Sequence, residues 1–341
     1  MITREHILIS DLTTMRLGGP ARYVVEVHSP KECVQAYEFA VANGLPVFVL
    51  GGGSNVFGRD EGFNGVLLLN RIASIEILAE NTNELVIKAA SGIELDVLAE
   101  FATSRGWSGL EALSAIPGTV GGAVMQNAGA YGQEIADTLV SVEVYDTLSR
   151  RLEVLEQSLL DLSYRHSIFN SSARGRYFIL SATVQLTRHE IERELFSSLQ
   201  SYLDEHDIFN RSPIALRDAV MSIRAQKLPD PKVEASSGSF FKNVTICESE
   251  CEALRERFPG IPIFHSANAV RVSSGWLIEQ CGFKGQLLHG MRVSSKSALT
   301  LINESAGSYR DLAAARAEIV SAVQARFGFT LEQEPEEIPV G

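Results

Sequence analysis

The chain has 341 residues and a mass of 37.2 kDa, with 45% hydrophobic and 21% charged residues, which suits two or three domains and excludes a disordered chain. Its net charge of −12 argues against a nucleic acid or an anionic membrane as a partner, although a local basic pocket for a small anion is compatible with it. No apolar run approaches the roughly 18–20 residues of a membrane span, and the first residues lack a signal-peptide pattern. The four cysteines are scattered without metal-binding spacing. We therefore expect a cytoplasmic protein with no metal ion.

Strand-like and helix-like segments alternate along the chain, which is typical of an α/β or α+β protein. A helix is predicted from Ser29-Pro30 to Asn43-Gly44, because a serine cap and a glycine stop flank apolar residues at helical spacing. Ser91 with Glu94 three residues later forms a capping-box pattern, which predicts a helix that ends at Gly106. The apolar runs around these helices predict strands at Pro46–Leu50, Gly65–Leu69, Ile75–Leu78 and Leu85–Ala89.

The second half of the chain carries the same kinds of signal. Valines that alternate with polar residues over Val140–Tyr145 predict a strand with one buried face. The other elements predicted there are a long strand, a helix that starts at a Ser-Pro pair, a linker rich in proline and small residues, and a last helix with a serine cap and a glycine stop: Phe178–Leu186, Ser212–Ala225, Lys227–Ser237 and Ser308–Gly328.

A glycine-rich segment, Gly51–Asn55, follows directly on the first predicted apolar strand. Consecutive glycines let backbone N–H groups turn toward one point, and such a nest suits phosphate oxygens. The segment is not a dinucleotide-binding GxGxxG motif, because Val56 stands where a glycine is required, and no Gly-Lys-Ser/Thr of a Walker loop follows. Taken alone, it is equally compatible with a tight turn between strands.

A second glycine loop, Ile116–Ala123, is followed by the small-residue segment Asn127–Gly132. Its glycine pairs allow close approach of the backbone to a bound group, and Thr119 adds a hydroxyl group. Two such loops about 65 residues apart favour a dinucleotide held at both ends over two unrelated turns.

These loops, together with Thr14–Ala21, resemble the FAD-binding half of the UDP-N-acetylenolpyruvoylglucosamine reductase (MurB) family. The loops alone would fit any flavoprotein of the wider vanillyl-alcohol-oxidase/PCMH fold. The resemblance implies FAD as cofactor, NADPH as hydride donor, and the small-molecule substrate UDP-N-acetylglucosamine enolpyruvate, in peptidoglycan precursor synthesis. It also implies an FAD site that consists of Gly51, Gly52, Gly53, Ser54, Asn55, Pro117, Gly118, Thr119, Gly121, Gly122, Ala128 and Gly129.

Three further segments carry the catalytic part of the resemblance: Tyr164–Phe169, Gly238–Asn243 and Leu331–Glu337. Each has a plainer interpretation by itself, as a surface charge, a core segment and a solvated acidic tail respectively. A serine hydrolase is disfavoured, since no GxSxG elbow surrounds Ser239 and no histidine or aspartate partner can be nominated. The family pattern joins the three segments, because its arginine, serine and terminal glutamate match Arg165, Ser239 and Glu334.

The resemblance implies a reduction in which hydride from FAD N5 adds to the enol ether after NADPH has reduced the flavin and left. Arg165 and Glu334 would stabilise the enediolate, the glutamate as a hydrogen-bonding acid, and Ser239 would supply the proton. The sequence departs from the family after the glutamate, where Pro335–Glu337 replaces a Val-Arg-type continuation. Substrate contacts are implied for Tyr131, Tyr202, Lys227, Lys242 and Asn243, with simple packing as an equal alternative for Tyr202 as the mobile-loop tyrosine of the type I reductases.

The fold implied is α+β, with a two-part FAD-binding module and an inserted α+β substrate-binding domain, and a monomer is expected. The first FAD lobe comprises residues 1–70, the second comprises 71–223 and 327–341, and the substrate domain comprises 224–326. One alternative is a flavin-dependent sugar or alcohol oxidase, which typically needs a histidyl or cysteinyl flavin link that neither glycine loop offers. The other is a non-catalytic nucleotide-sugar-binding relative, which should have lost Arg165, Ser239 and Glu334.

Overall fold

The computed structural model describes residues 1–188, 196–266 and 269–341. Within these ranges, helices and strands form four sheets of three or more strands, in agreement with the predicted α+β class. No helix in the described ranges combines the length and apolarity needed to cross a bilayer.

The first lobe is a four-stranded sheet with strand order β1-β2-β5-β3 and one helix on its face. The helix begins after Ser29, whose side chain accepts a hydrogen bond from the Glu32 N–H at 3.2 Å, as predicted from the cap and Pro30. Its Ala36 and Ala40 are buried against the sheet. The elements are β1 (Ile2–Leu8), β2 (Pro20–Val27), α1 (Pro30–Ala42), β3 (Val47–Leu50), β4 (Val56–Gly58) and β5 (Phe63–Asn70).

The second lobe is a five-stranded antiparallel sheet with strand order β11-β10-β12-β7-β6, and α2 and α3 pack on one face. The elements of this lobe are β6 (Ile75–Glu80), β7 (Glu84–Ala90), α2 (Leu95–Thr103), α3 (Val120–Met125), β8 (Gly129–Ala130), β9 (Gln133–Glu134), β10 (Leu139–Asp146), β11 (Arg151–Glu156), β12 (Tyr177–Thr187), α4 (Ser197–Glu205) and α5 (Pro213–Lys227). The long predicted strand and the Ser-Pro helix are thus confirmed.

The sequence predicts one buried face for β10, but in the structure both faces of this strand carry buried residues. Val142 and Val144 lie in the core of the second lobe, but Tyr145, on the opposite face, is also buried and packs against Tyr37 of α1. Both faces of the strand are covered because the first lobe docks on the second through this sheet.

The capping box predicted at Ser91 is wrong. Helix α2 starts only after Glu94, and the Ser91 hydroxyl instead accepts a hydrogen bond from the Asn70 side chain at 2.6 Å. Residues 91–94 connect β7 to the helix, and Gly92 N–H donates to the Ile72 carbonyl there, so the hydroxyl closes a buried turn between the lobes. Gly106, with φ of +75°, follows the helix end at Thr103 by three residues.

The third region contains two small antiparallel sheets, β13-β19-β18-β17 and β14-β16-β15, with α7 and α8 packed around one apolar core. Ser308 caps α8 by accepting from the Asp311 N–H at 3.3 Å, and Gly328 ends it with φ of +82°, as predicted. The linker predicted at Lys227–Ser237 is shorter in the structure, where residues 228–235 connect α5 to β13. The elements are β13 (Ser236–Ser239), β14 (Val244–Ile246), α6 (Cys251–Arg257), β15 (Ile263–Ser266), β16 (Ala269–Val272), α7 (Ser274–Gln280), β17 (Leu287–Leu288), β18 (Met291–Val293), β19 (Thr300–Asn303), α8 (Tyr309–Phe327) and β20 (Glu336–Ile338).

The C-terminal strand lies in the first lobe, whereas residues 327–341 were predicted to belong to the second lobe, and Phe327 and Leu331 of that range pack in the core of the third region. Strand β20 pairs in parallel with β4, and Glu336 N–H donates to the Asn55 carbonyl at 2.8 Å. Ile338 is fully buried in the first-lobe core beside Ile9, which supplies the apolar contact that holds the strand there. The pairing places the residues before β20 directly beside the Gly51–Asn55 loop.

Candidate functional site

A cavity of about 630 Å³ lies where the three regions meet. Its walls come from both glycine loops, from the turn that carries Arg165, from the end of α5, from β13 and from the segment before β20. All twelve residues predicted to bind FAD line this cavity except Gly121.

The two glycine loops pack directly against each other along one wall. A Cβ atom on Gly52 would lie 2.9 Å from Gly118 Cα, and Gly118 itself has φ of +121°. Ser54 Oγ donates to the Pro117 carbonyl at 2.8 Å and ties the loops together. Glycine is required here because the backbones approach too closely for any side chain.

The glycine pair at the start of α3 divides into two roles. Thr119 caps the helix and accepts from the Gly122 N–H at 3.4 Å, and both residues line the cavity. Gly121 instead donates its N–H to the Ser91 carbonyl at 2.8 Å, and a Cβ atom there would lie 2.9 Å from Ser91 Cβ. Gly121 therefore lets the helix pack against the chain that leaves β7.

Arg165 occupies a strained position in a tight turn. Ser163 and His166 exchange two backbone hydrogen bonds of 3.1 and 3.0 Å across the turn, and Arg165 between them has φ of +55°. Asn170 Nδ2 donates to the Arg165 carbonyl at 3.1 Å and helps to hold this conformation. A non-glycine residue in the left-handed region is uncommon, and such residues cluster at functional sites.

The Arg165 guanidinium forms an ion pair with the Glu334 carboxylate inside the cavity. Arg165 Nε donates to Glu334 Oε1 at 2.7 Å, its NH2 group donates to the Gly129 carbonyl at 3.1 Å, and the two side chains are only 17% and 10% exposed. Burial lowers the pKa of Arg165, but the charge of Glu334 and the Tyr164 phenol oppose it, and the net pKa lies above the ordinary value. The arginine is therefore charged at any physiological pH.

Backbone pairing brings Glu334 next to the segment that contains Ser239. Glu334 N–H donates to the Phe240 carbonyl at 2.9 Å, and Lys242 N–H donates to the Glu332 carbonyl at 2.9 Å. Ser239 ends β13, is half-buried and lines the same cavity as Arg165 and Glu334. The three residues predicted to be catalytic thus share one cavity, although they lie far apart in the sequence.

Gln126 was not predicted, and the structure places it in contact with this group. Its Nε2 donates to Glu334 Oε1 at 2.7 Å, and its Oε1 accepts from Asn55 Nδ2 at 2.5 Å. It directly precedes the predicted segment Asn127–Gly132, but nothing in the local sequence shows which way its amide points.

Arg224 is a second cationic residue that the sequence analysis missed. It lines the cavity from α5 and donates its Nε to the Ala115 carbonyl at 3.2 Å. Burial lowers its pKa, the charge of Arg165 lowers it further, and Tyr131 and Asp96 only partly oppose these effects. Arg217, two turns earlier on α5, forms a bidentate ion pair with Asp96. The seven-residue spacing of Arg217 and Arg224 places both on one face of the helix, and this spacing was the available sequence signal.

Of the residues predicted to bind substrate, Lys242 lines the cavity. The other four are not among the described residues that line it. Tyr131 and Tyr202 pack against the apolar core between α4 and α5, and the ring centroids of Tyr202 and His206 stack 4.0 Å apart. Asn243 Oδ1 accepts from the Ser274 N–H at 3.1 Å at the start of α7, and Lys227 is exposed at the end of α5.

The cavity also contains a buried hydroxyl group that lacks a partner. Within the part of the chain that the structure describes, Ser237 Oγ is buried and has no hydrogen-bond partner. Since buried polar groups are normally satisfied, this atom fits a site that receives a polar ligand.

Away from the cavity, Glu248, Cys251 and His265 place one potential metal-binding atom each within 4.8 Å of one another. The sequence spacing did not reveal this grouping, because His265 comes from β15, Glu248 from the turn before α6, and Cys251 from the first position of α6. Two of the three side chains are exposed, and such groups often meet at a protein surface without an ion, so we assign no metal to them.

Two protein families match separate parts of the chain. The FAD binding domain family matches residues 21–154, and the C-terminal domain of UDP-N-acetylenolpyruvoylglucosamine reductase matches residues 230–338. The first match contains both glycine loops, and the second contains Ser239 and Glu334.

Whole-chain relatives agree with the family matches. The UDP-N-acetylenolpyruvoylglucosamine reductase of Burkholderia lata is 36% identical over 94% of this chain and 93% of its own length, and that of Ralstonia nicotianae is 35% identical over 97% of each. The crystal structure of the reductase (MurB) from Thermus caldophilus superposes with a TM-score of 0.65 at 27% identity, covering 99% of this chain and 100% of that one. The chain therefore belongs to the UDP-N-acetylenolpyruvoylglucosamine reductase family.

Proposed function

We propose that this chain reduces the enolpyruvyl group of UDP-N-acetylglucosamine enolpyruvate to give UDP-N-acetylmuramate in peptidoglycan precursor synthesis. The observation that carries the proposal is the buried Arg165–Glu334 pair in one cavity with Ser239, beside two interlocked glycine loops. Burying two charged groups is costly even when they are paired, so a buried ion pair at a cavity wall beside Ser239 favours a functional role over a non-catalytic relative.

The residues of the cavity fit FAD as the cofactor. The loops Gly51–Asn55 and Pro117–Gly122 would hold it, because their glycines leave the wall without side chains, and Ser237 Oγ offers an unused polar group. When bound and reduced by NADPH, FAD supplies the hydride for the enolpyruvyl double bond.

Arg165 would bind the substrate carboxylate, and Glu334 in its protonated form would donate a hydrogen bond to it, so that both stabilise the negative charge that builds on this group during reduction. The guanidinium offers further N–H donors beyond the one engaged by Glu334, and its conformation is fixed by the turn before substrate arrives. Donors that are already in place and shielded from water stabilise developing charge far better than water does.

Ser239 would donate its Oγ proton to the carbon that bears the carboxylate. The hydride is added to the other carbon of the same double bond. A serine hydroxyl is a weak acid, so it can do this only toward a strongly basic, carbanion-like centre and from a fixed position. Its place at the end of β13, one residue from the Phe240–Glu334 backbone pairing, supplies that fixed position.

Cationic groups at the cavity suit the diphosphate of the substrate. We assign Lys242 and Arg224 to this contact, because both line the cavity and Arg224 is held in place by the Ala115 carbonyl. Tyr131, Tyr202, Lys227 and Asn243 would form an outer set of contacts. In this proposal residues 1–70 and most of 71–223 bind FAD, residues 224–326 bind the sugar nucleotide, and the protein is a monomer in the cytoplasm.

Anaerobic stopped-flow absorbance tests the proposal in two steps. NADPH should bleach the flavin of the purified holoenzyme, and UDP-N-acetylglucosamine enolpyruvate should then restore the oxidised spectrum with UDP-N-acetylmuramate as product. Ser239→Ala should keep the first step and slow the second by about a hundredfold or more, the usual range for a lost general acid. Ser149→Ala, which removes an exposed hydroxyl bonded to Glu153, is the control and should match the wild type. A reduced flavin that is reoxidised by O2 but not by the sugar nucleotide would contradict the proposed function.

A further inference from the structure

We propose that Gln126 is a positioning residue that fixes Glu334 and determines which of its two carboxyl oxygens can carry a proton. This inference rests on the proposed function, since it concerns the same reduction. Four groups form the network: Asn55, Gln126, Glu334 and Arg165. Each contact involves side chains that line the cavity.

The orientation of the Gln126 amide follows from the chemistry of its neighbours. Asn55 Nδ2 lies 3.5 Å from the Glu334 backbone carbonyl and 2.5 Å from Gln126 Oε1, and a backbone carbonyl can only accept. Asn55 therefore presents its amino group to Gln126, and the atom of Gln126 that accepts this hydrogen bond must be Oε1. The Gln126 amino group is left to face Glu334, where a carboxylate oxygen accepts it at 2.7 Å.

Two donors then converge on one oxygen of Glu334. Oε1 accepts from Gln126 Nε2 and from Arg165 Nε, both at 2.7 Å, which uses both of its lone pairs. A proton on this carboxyl group must consequently reside on Oε2. If Glu334 acts on the substrate carboxylate as a hydrogen-bond donor, Gln126 and Arg165 together select Oε2 as the donating oxygen.

Gln126 is well placed to impose this geometry because it is itself anchored. Its backbone N–H donates to the Gly122 carbonyl at 3.3 Å at the end of α3. The preceding carbonyl, of Met125, accepts from Ser167 Oγ at 2.5 Å, which connects the helix end to the turn that carries Arg165. The donors to Glu334 Oε1 are thus held in a fixed relation to each other.

The first test is Gln126→Leu, which keeps the size of the side chain and removes its donor. We expect flavin reduction by NADPH to stay within twofold of wild type and reoxidation by UDP-N-acetylglucosamine enolpyruvate to slow about tenfold or more, about 1.4 kcal/mol in the barrier. Gln185→Leu is the matched control, because the exposed Gln185 side chain on β12 makes the same amide-to-carboxylate contact with Glu84 of the second lobe.

The second test is the pH profile of Gln126→Glu. A protonated carboxyl group can donate to Glu334, whereas an ionised one repels it, so the ratio of variant to wild-type reoxidation rate should rise as the pH falls. The charged and titratable groups that line the same cavity are Arg165 and His166 on the turn, Arg174, Arg224 on α5, Lys242, and Glu334, Glu336 and Glu337 on the C-terminal segment. Glu134 accepts a hydrogen bond from Asn127, the residue after Gln126. These groups are present in both proteins, so taking the ratio of the variant to the wild-type reoxidation rate cancels the effect of their own titration to first order.

The outcomes separate this inference from the proposed function. Failure of the wild type to reoxidise with the sugar nucleotide would refute the function itself. A wild type that turns over, with Gln126→Leu within twofold of it in both half-reactions, would overturn the positioning role. An equal loss in both half-reactions, or a pH-independent ratio for Gln126→Glu, would also overturn it, because a merely structural defect gives that result.

Discussion

The contact between the two glycine loops makes Gly52→Ala an informative substitution. The added methyl group would lie 2.9 Å from Gly118 Cα, a backbone atom that cannot rotate away, so one loop must move. Overpacking of this kind destabilises a protein by about 1–3 kcal/mol. For a cooperative unit of about 150–250 residues, that corresponds to a loss of about 2–12 °C in the unfolding midpoint.

Gly307→Ala provides the control, because a Cβ atom there has nothing within 4 Å and its φ is not positive. That substitution should leave the unfolding midpoint unchanged or raise it slightly, since alanine reduces the entropy of the unfolded chain. The assay is thermal unfolding by circular dichroism, together with the FAD content of the purified variants. Gly52→Ala should lose both stability and bound FAD, and equal midpoints and equal FAD content in the two variants would refute the interpretation of the loops.

Four further predictions follow from buried groups and their partners. Arg217→Ala should destabilise the protein by about 2 kcal/mol in urea unfolding, because it leaves Asp96 without its charged partner. Burial raises the pKa of Asp96, but hydrogen bonds from Arg217 and the Ala115 N–H outweigh this and hold it below its ordinary value. Its contribution is therefore present above about pH 4 and is lost on further acidification, so Asp96→Asn should show a smaller acid-induced loss of stability than wild type. Burial raises the pKa of Cys33 to about 12, so iodoacetamide at pH 8 should label the exposed Cys247 and not Cys33, as read by peptide mass spectrometry. Ile338→Ala should lower stability by about 2–4 kcal/mol in the same urea assay, since this side chain is fully buried.

Local signals predicted much of the fold. The Ser-Pro start of α1 and the serine cap and glycine stop of α8 are determined within a few residues, and the structure has both. The Ser91–Glu94 pattern failed because Ser91 lies at a junction between lobes, where a distant partner, Asn70, takes its hydroxyl. Local capping chemistry cannot anticipate such a competitor.

The candidate site was predicted in part, for a related reason. Motifs identified Arg165, Ser239 and Glu334, and the fold brings them to one cavity. Gln126 and Arg224 were missed because their roles depend on the direction of a side chain relative to groups far away in the sequence. The return of β20 to the first lobe was also mispredicted, since a three-residue strand carries almost no sequence signal and its partner lies about 280 residues earlier.

That long separation has a consequence for how the protein is made. Domains fold as they emerge from the ribosome, N-terminal parts first, so both glycine loops can form long before residues 332–338 exist. Until those residues are synthesised, the Asn55 carbonyl lacks the Glu336 N–H, the Phe240 carbonyl lacks the Glu334 N–H, and Arg165 lacks the Glu334 carboxylate. A nascent chain could therefore hold a flavin without being able to reduce the sugar nucleotide. Reduction of the sugar nucleotide would begin only after residues 332–338 have been made and have paired with the parts of the protein that are already folded.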